Sequence, residues 1–156
     1  MIYLDNSATT KPCIEAVEAM TKALTVDWGN PSALYNFGID TARDILKLAV
    51  IERHKNTGHI GLGFIRGIGL KKGAIASSVS HDSHNIIVVG TSEEEMAAAA
   101  GQIEAQKGGI VVVSEGKTAA SLPLAIGGIM SDERLETVNE KLEQAKEVAH
   151  RLGVGR

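Results

Sequence analysis

Aromatic side chains and cysteine are both scarce in this chain of 156 residues. Aromatics make up 3% of the sequence and the formal net charge is −3, which argues against a nucleic-acid partner that needs stacked bases or a broad basic face. The single cysteine, Cys13, cannot form an intramolecular disulfide, so a cytoplasmic protein is predicted. No apolar run approaches the roughly 20 residues of a membrane span, and we expect neither a membrane partner nor a secretory leader.

The sequence otherwise has the composition of a globular chain, with 44% apolar and 22% charged residues. Its content of aromatic residues and glycine changes near residue 40. Four of the five aromatic residues lie before that point, whereas only two of the 17 glycines do. This change predicts two parts, an N-terminal segment of residues 1–43 and a domain of residues 44–156.

Helical spacing dominates the N-terminal segment. A first helix is predicted to open at Thr10 and Pro12. Its apolar residues recur every three or four positions from Ile14 to Leu24. A second helix is predicted to start at Ser32 and to run through Ile45, Leu46 and Ala49.

Strands dominate the remainder of the chain. Apolar runs predict strands at 48–51, 74–79, 86–89, 110–113 and 118–122, and a bent or bulged strand pair at 60–70. A helix capped by Ser92 is predicted from Glu93 to about Lys107, and a closing helix capped by Ser131 or Asp132 is predicted to reach Leu152. The predicted fold class is α+β: a β-sheet layered with two or three helices, preceded by a short helical N-terminal segment.

The polar loop His81-Asp82-Ser83-His84-Asn85 is the strongest candidate for a functional site. Strands flank it on both sides, so it would project two imidazoles, a carboxylate and an amide from one end of the sheet. His81, Asp82, His84 and Asn85 are therefore the candidate catalytic residues. A His-x-x-His pair supplies only half of a tetrahedral metal site, and no metal site is predicted. The alternative interpretation is that Asp82 and Asn85 cap the loop while both histidines are solvated.

Three other features have a structural explanation beside a functional one. The glycines between Gly58 and Gly73 match no phosphate-binding or dinucleotide-binding fingerprint, so tight turns and bulges explain them better than a ligand. The tetrad from Glu52 to Lys55 has catalytic residue types, but such a tetrad is more often a solvated strand end. The sequence shows no side chain that could act as a base for the Cys13 thiol, so Cys13 is interpreted as structural.

The N-terminal segment contains the stretches Tyr3-Leu4-Asp5-Asn6-Ser7-Ala8-Thr9-Thr10-Lys11-Pro12 and Gly29-Asn30-Pro31-Ser32-Ala33-Leu34. Through them, residues 1 to about 41 resemble the N-terminus of the cysteine desulfurases, which are pyridoxal-phosphate enzymes. The cofactor lysine and the persulfide cysteine of that family lie far downstream of this region, and Cys13 is not at the catalytic position. The resemblance therefore implies no desulfurase chemistry in this chain.

A longer set of matching stretches follows, at Leu46 to His54, Gly61 to Phe64, Gly73 to Gly90 and Leu122 to Asp132. Through them, residues from about 44 to 156 resemble the C-terminal domain of the adenine deaminases, members of the amidohydrolase superfamily. Those enzymes hydrolyse adenine to hypoxanthine and ammonia with a metal-activated water held in a barrel that precedes this domain. The resemblance implies that these 156 residues, without that barrel and its His-x-His pair, are catalytically incomplete.

The two resemblances meet between Thr41 and Asp44, which predicts a fusion of two truncated pieces. The predicted function is that of an adenine deaminase C-terminal domain, inactive alone, with no cofactor of its own and with a tendency to form a homo-oligomer. Two alternatives stay open. One is a purine-binding or oligomerisation module that takes adenine or another purine at the His81–Asn85 loop, and the other is a pyridoxal-phosphate protein related to the desulfurases.

Overall fold

The computed structural model of the chain describes residues 39–55, 57–81 and 83–155. Their central feature is a six-stranded antiparallel sheet with strand order β2-β1-β4-β3-β5-β6. The strands are β1 (Leu46–Ile51), β2 (Ile60–Ile65), β3 (Ala74–Ser77), β4 (Ile86–Gly90), β5 (Gly109–Ser114) and β6 (Lys117–Pro123). Two helices, α1 (Glu93–Ala105) and α2 (Leu135–Arg151), complete the described part of the chain. The predicted α+β class is confirmed.

The sheet separates two hydrophobic cores, because successive side chains of a strand point to opposite faces. On one face, Val111 and Val113 of β5 pack in a cluster with Met96 and Ile103 of α1. On the other face, Val112 packs in a second cluster, which contains α2 residues. The domain therefore has three layers, helix α1, the sheet and helix α2, and the valines of β5 are buried on both faces.

Helix α1 begins where the sequence predicts. The side chain of Ser92 accepts a hydrogen bond from the N–H of Glu95, and the three glutamates of the first turn face the positive end of the helix dipole. The buried residues Met96, Ala99 and Ile103 recur every three or four positions and direct the helix onto β3, β4, β5 and β6. None of the helices in the described residues is long and apolar enough to cross a bilayer.

Helix α2 starts later than predicted, and its expected cap is wrong. Its N-cap is Arg134, which makes no side-chain capping bond. Ser131 instead accepts a hydrogen bond from the N–H of Glu133, at 3.1 Å, and so closes a turn ahead of the helix. The predicted end is confirmed, because Leu152 is the C-cap and Gly153 follows with a positive φ of 111°.

Two predicted elements near β1 and β2 are also wrong. Residues 46–49 do not continue a helix but belong to β1, which contains the strand predicted at 48–51 and pairs with both β2 and β4. The expected strand pair over 60–70 is the single strand β2. After it, the chain reverses at Gly67 and Gly69, whose N–H groups donate to the carboxylate of Asp44 at 2.6 and 2.7 Å.

Those bonds also set the charge state of the carboxylate. The hydrogen bond from Gly69 is the main cause that lowers the pKa of Asp44, and the bond from Gly67 and the nearby charge of Lys71 act in the same direction. The turn at Gly67 and Gly69 is therefore held by an ionised side chain. For Gly67 and Gly69, the structure therefore agrees with the interpretation that the glycines between Gly58 and Gly73 form tight turns.

The predictions for the N-terminal segment, including the helix at Thr10 and the part of the second helix from Ser32, fall outside the described residues. The position of Cys13 does so as well. The boundary between residues 43 and 44 stays a prediction.

Gly109 is required at the start of β5 and offers a test of the packing between β5 and β6. Its φ is +130°, and a Cβ placed there would lie 2.0 Å from the main-chain oxygen of Leu122. We expect Gly109→Ala to lower the free energy of unfolding by about 2 kcal/mol or more, because a strained backbone and a clash with main chain both have to be relieved. Urea unfolding measures the difference.

The control is Gly101→Ala in α1. A Cβ at this position meets nothing within 4 Å, and alanine favours the helix over glycine by about 0.5–1 kcal/mol. We therefore expect the control to be slightly more stable than the parent chain. A Gly109→Ala variant as stable as the control would show that the close approach to β6 is wrong.

Candidate functional site

Three connecting segments meet at one end of the sheet. Ile51 at the end of β1 lies beside Ile86 at the start of β4, and Ser77 at the end of β3 lies beside Ile110 of β5. Gly109 in turn pairs with Pro123 at the end of β6. The segments 52–59, 78–85 and 124–130 therefore leave the sheet at the same end, and two of them contain candidates from the sequence.

Arg53 links all three segments. Its Nε donates to the main-chain oxygen of His84 at 2.6 Å, and its Nη2 donates to the oxygen of Gly127 at 2.5 Å. A Cβ on Gly128 would lie 2.5 Å from the guanidinium, so only glycine allows the arginine to lie this close to the main chain. We call Arg53, His54, Ser78, His84 and Gly128 the sheet-end cluster.

Ser78 is the most deeply buried residue of the sheet-end cluster and has no exposed surface. Its hydroxyl accepts a hydrogen bond from the N–H of Gly109 at 2.7 Å and donates to the oxygen of Gly128 at 2.5 Å. The N–H of Ser78 donates to the oxygen of Gly109 at 3.0 Å. Ser78 thus connects the end of β3 and the start of β5 to the segment 124–130, which Arg53 also contacts.

His84 carries the unusual features of the sheet-end cluster. Its backbone lies in the left-handed region, with φ of 48°, which is uncommon for a residue other than glycine. Its Nδ1 is buried and is the single such side-chain atom in the described residues without a hydrogen-bond partner. Buried polar groups are usually paired, so this unpaired nitrogen is an exception within the described residues.

His54 and Glu52 organise the neighbouring segment. The Nε2 of His54 lies 2.6 Å from the main-chain oxygen of Ser83, and since a carbonyl only accepts, the ring proton is on Nε2. The Glu52 carboxylate accepts hydrogen bonds from the N–H groups of His54, Lys55 and Thr57 and from the Thr57 hydroxyl. Desolvation acts to raise the pKa of Glu52, but these hydrogen bonds outweigh it and lower the pKa to about 2.

The sequence candidates have different positions in this structure. His84 belongs to the sheet-end cluster, whereas His81 is exposed on the turn and makes an interaction of its own. Asn85 contributes its main-chain oxygen, which accepts a hydrogen bond from the Ser80 hydroxyl at 2.9 Å. Asp82 lies outside the described residues. The catalytic role given to these four residues stays a prediction.

Sequence reasoning missed Ser78 and undervalued Arg53. Ser78 lies within a predicted strand, and the available signal was a hydroxyl at a position where an apolar residue was expected. Arg53 belongs to the tetrad that was interpreted as more often a solvated strand end. Its main-chain acceptors come from residues 31 and 74 positions further along the chain, so no local pattern could indicate them.

The described residues do not fit a catalytic metal. No group of three or more histidine, cysteine, aspartate or glutamate side chains is placed among them to hold a metal ion. Metal sites that activate water need three protein ligands or more around an open position. We therefore derive no metal-dependent step from this part of the chain.

The fold and the sheet-end cluster define an α+β domain with a polar loop site at one end of an antiparallel sheet. The profile of the adenine deaminase C-terminal domain matches residues 18–156, and the chain belongs to that family. The match begins upstream of the predicted join between Thr41 and Asp44.

Curated relatives agree with this assignment. An adenine deaminase of Brucella anthropi is 54% identical over 114 residues, which are 73% of this chain and 20% of that protein. Adenine deaminase 2 of Carboxydothermus hydrogenoformans is 51% identical over 118 residues, 76% of this chain and 21% of the relative. An adenine deaminase of Methanothrix thermoacetophila is 56% identical over 114 residues, with shares of 73% and 20%. The matched part is therefore about a fifth of the length of these relatives.

The depressed pKa of Glu52 predicts a pH-dependent contribution to stability. The folded-state pKa of about 2 lies below the ordinary value of 4.5. The contribution of Glu52 is therefore fully present above about pH 4.5 and is lost as the pH falls towards about 2. We expect the stability difference between the parent chain and Glu52→Gln to shrink over this interval in urea unfolding.

A direct measurement accompanies that comparison. Carbon NMR of the Glu52 carboxyl should show titration near pH 2, and Thr57→Val, which removes the hydroxyl donor, should raise the pKa part of the way towards 4.5. Titration of Glu52 at its ordinary value in the parent chain would contradict the hydrogen-bonded geometry of this segment.

Proposed function

We propose that this chain acts as the C-terminal domain of an adenine deaminase and contributes the sheet-end cluster to that enzyme's function. The observation that carries the proposal is the family match, which covers all the described residues. Hydrolytic deamination of adenine needs an activated water. In this proposal the domain positions groups, while the rest of the enzyme holds the metal that activates the water.

The surface beside the sheet-end cluster supports this role. The segment after β6 exposes Ile126, Ile129 and Met130 to solvent, and the N–H of Ile126 bonds the oxygen of Met130 in a tight turn. Arg53 holds this turn through the oxygen of Gly127. An apolar tip beside polar groups is typical of a surface that contacts another part of a protein. We propose that this end of the sheet faces the catalytic part of the enzyme.

The chemistry of His84 suits a purine or the segment that encloses one. Adenine presents an exocyclic amino donor and ring-nitrogen acceptors, and a neutral imidazole nitrogen can satisfy either kind of group, depending on its tautomer. The buried Nδ1 of His84 is the atom of the sheet-end cluster with this capacity unused. In this proposal the domain works in the cytoplasm, takes adenine as its substrate class and holds no cofactor of its own.

Transfer of the domain into a relative tests the proposal. The 114-residue stretch that the Brucella anthropi enzyme shares with this chain is replaced by the matching residues of this chain. We expect the hybrid to release ammonia from adenine, whereas the 156-residue chain alone with adenine and a divalent metal releases none. An inactive hybrid that folds and retains its metal would count against the proposed role.

His84→Gln in the hybrid separates the role of the sheet-end cluster from that of the fold. Loss of one hydrogen bond in the working enzyme predicts a decrease of about ten-fold in kcat/KM. His59→Gln is the matched control, because His59 is an exposed histidine at the same end of the sheet. Equal activity of the two variants would remove His84 from the proposal.

We propose separately that residues 1 to about 41 originate from a cysteine desulfurase N-terminus. The support is the pair of sequence stretches from Tyr3 to Pro12 and from Gly29 to Leu34. The lysine that holds pyridoxal phosphate in that family lies downstream of the matching region, so the resemblance carries no such lysine into this chain.

We therefore expect pyridoxal phosphate to form no Schiff base with a defined lysine of this chain. Absorbance spectra before and after dialysis are the measurement. An internal-aldimine band that survives dialysis and maps to one lysine would show that the N-terminal segment retains cofactor chemistry.

A further inference from the structure

The two edge strands of the sheet, β2 and β6, differ in how well they are protected against pairing with a further strand. Strand β6 begins with Lys117, ends with Pro123 and pairs with β5 through a bulge at Val112 and Val113, all of which hinder pairing with a further strand. Strand β2, at the opposite edge, contains no charged residue and no proline in Ile60–Ile65, and its pairing with β1 is regular. Among the strands of the described residues, β2 pairs only with β1, and its other edge carries no feature that hinders a further strand.

The hydrogen-bonding groups of β2 alternate in a defined way. The N–H of Glu52 donates to the oxygen of His59, which makes these two residues a hydrogen-bonded pair of the antiparallel ladder. Every second residue from His59, namely Gly61, Gly63 and Ile65, then bonds to β1. It follows that Ile60, Leu62 and Phe64 direct their N–H and C=O groups towards the free edge.

The same three residues expose their side chains on one face. Ile60, Leu62 and Phe64 are 56%, 62% and 39% exposed. Ile60 and Leu62 also form a wall of a cavity of about 360 Å³, whose other walls come from β1, β4 and α1. On the opposite face, a Cβ at Gly63 would meet nothing within 4 Å, so the space beside this glycine is empty.

We propose that the β2 edge pairs with the β2 edge of a second copy of this chain, antiparallel about a twofold axis at Leu62. In this register Leu62 lies opposite Leu62 of the partner, and Ile60 lies opposite the partner's Phe64. Each of these pairs exchanges two main-chain hydrogen bonds through the groups that face the free edge. The sheet of one copy then continues into the sheet of the other.

The residue pattern of β2 is complementary to itself in this register. Apolar side chains meet apolar side chains on one face, and Gly61 meets the partner's Gly63 on the other, where no side chain obstructs the approach. Arg66 lies opposite the partner's Gly58, so no like charges are brought together. A twofold interface requires this self-complementarity of one surface, and this is why a second copy is the occupant to which we commit.

Sedimentation velocity of the 156-residue chain between about 5 and 500 µM tests the proposal, since a short interface predicts a concentration-dependent dimer. Leu62→Lys should raise the dimer dissociation constant about ten-fold or more, because it places two like charges opposite each other. Leu135→Lys is the matched control, since Leu135 is an exposed leucine, 78% exposed, at the start of α2. It should leave the constant unchanged.

Hydrogen exchange of the unmodified chain reports the register directly. At high concentration the amides of Ile60, Leu62 and Phe64 should gain protection, whereas those of Gly61 and Gly63 should be protected at every concentration. This alternating gain supports the proposed pairing even if the Leu62→Lys variant does not fold. A chain that stays monomeric throughout the concentration range, or a dimer in which these three amides gain no protection, would overturn the proposal.

Discussion

The requirement that β5 be apolar on both faces is the constraint on which the rest of this domain depends. Val111 and Val113 point towards α1 while Val112 points towards α2, so the strand can be buried only if each face of the sheet carries a helix. The hairpin turn at Glu115 and Gly116, both with positive φ, returns the chain directly into β6. The position of β5 inside the sheet follows from its composition.

A sheet that is covered on both faces leaves its strand ends as the places for polar side chains. Ser78, fully buried at the end of β3, satisfies main-chain groups that the strands no longer pair. Arg53 does the same for His84 and Gly127 from the end of β1. The sheet-end cluster thus has a structural role, because its side chains form hydrogen bonds with main-chain groups near the strand ends. The unpaired Nδ1 of His84 is the part of the cluster that this structural role leaves unexplained.

The two proposed interaction surfaces of the domain are formed by different parts of the sheet. The sheet-end cluster lies where the strands terminate, and it presents single polar atoms together with an apolar turn. The β2 edge lies along the side of the sheet and presents main-chain groups in a regular repeat. Because the surfaces use different atoms, one can contact the catalytic part of an enzyme while the other pairs with a second copy.

The sequence by itself determined the elements whose signals are local. The Ser92 cap of α1 and the end of α2 at Leu152 follow from a short-range hydrogen bond and from a left-handed backbone position at Gly153. Only the tertiary structure decided the rest. The pairing with β2 and β4 extends the strand predicted at 48–51 back to Leu46, and Ser131 closes a turn ahead of the helix that it was expected to cap. Arg53 and His84 meet because β1 and β4 are neighbours in the sheet, and a contact between residues 31 positions apart leaves no periodic trace in the sequence.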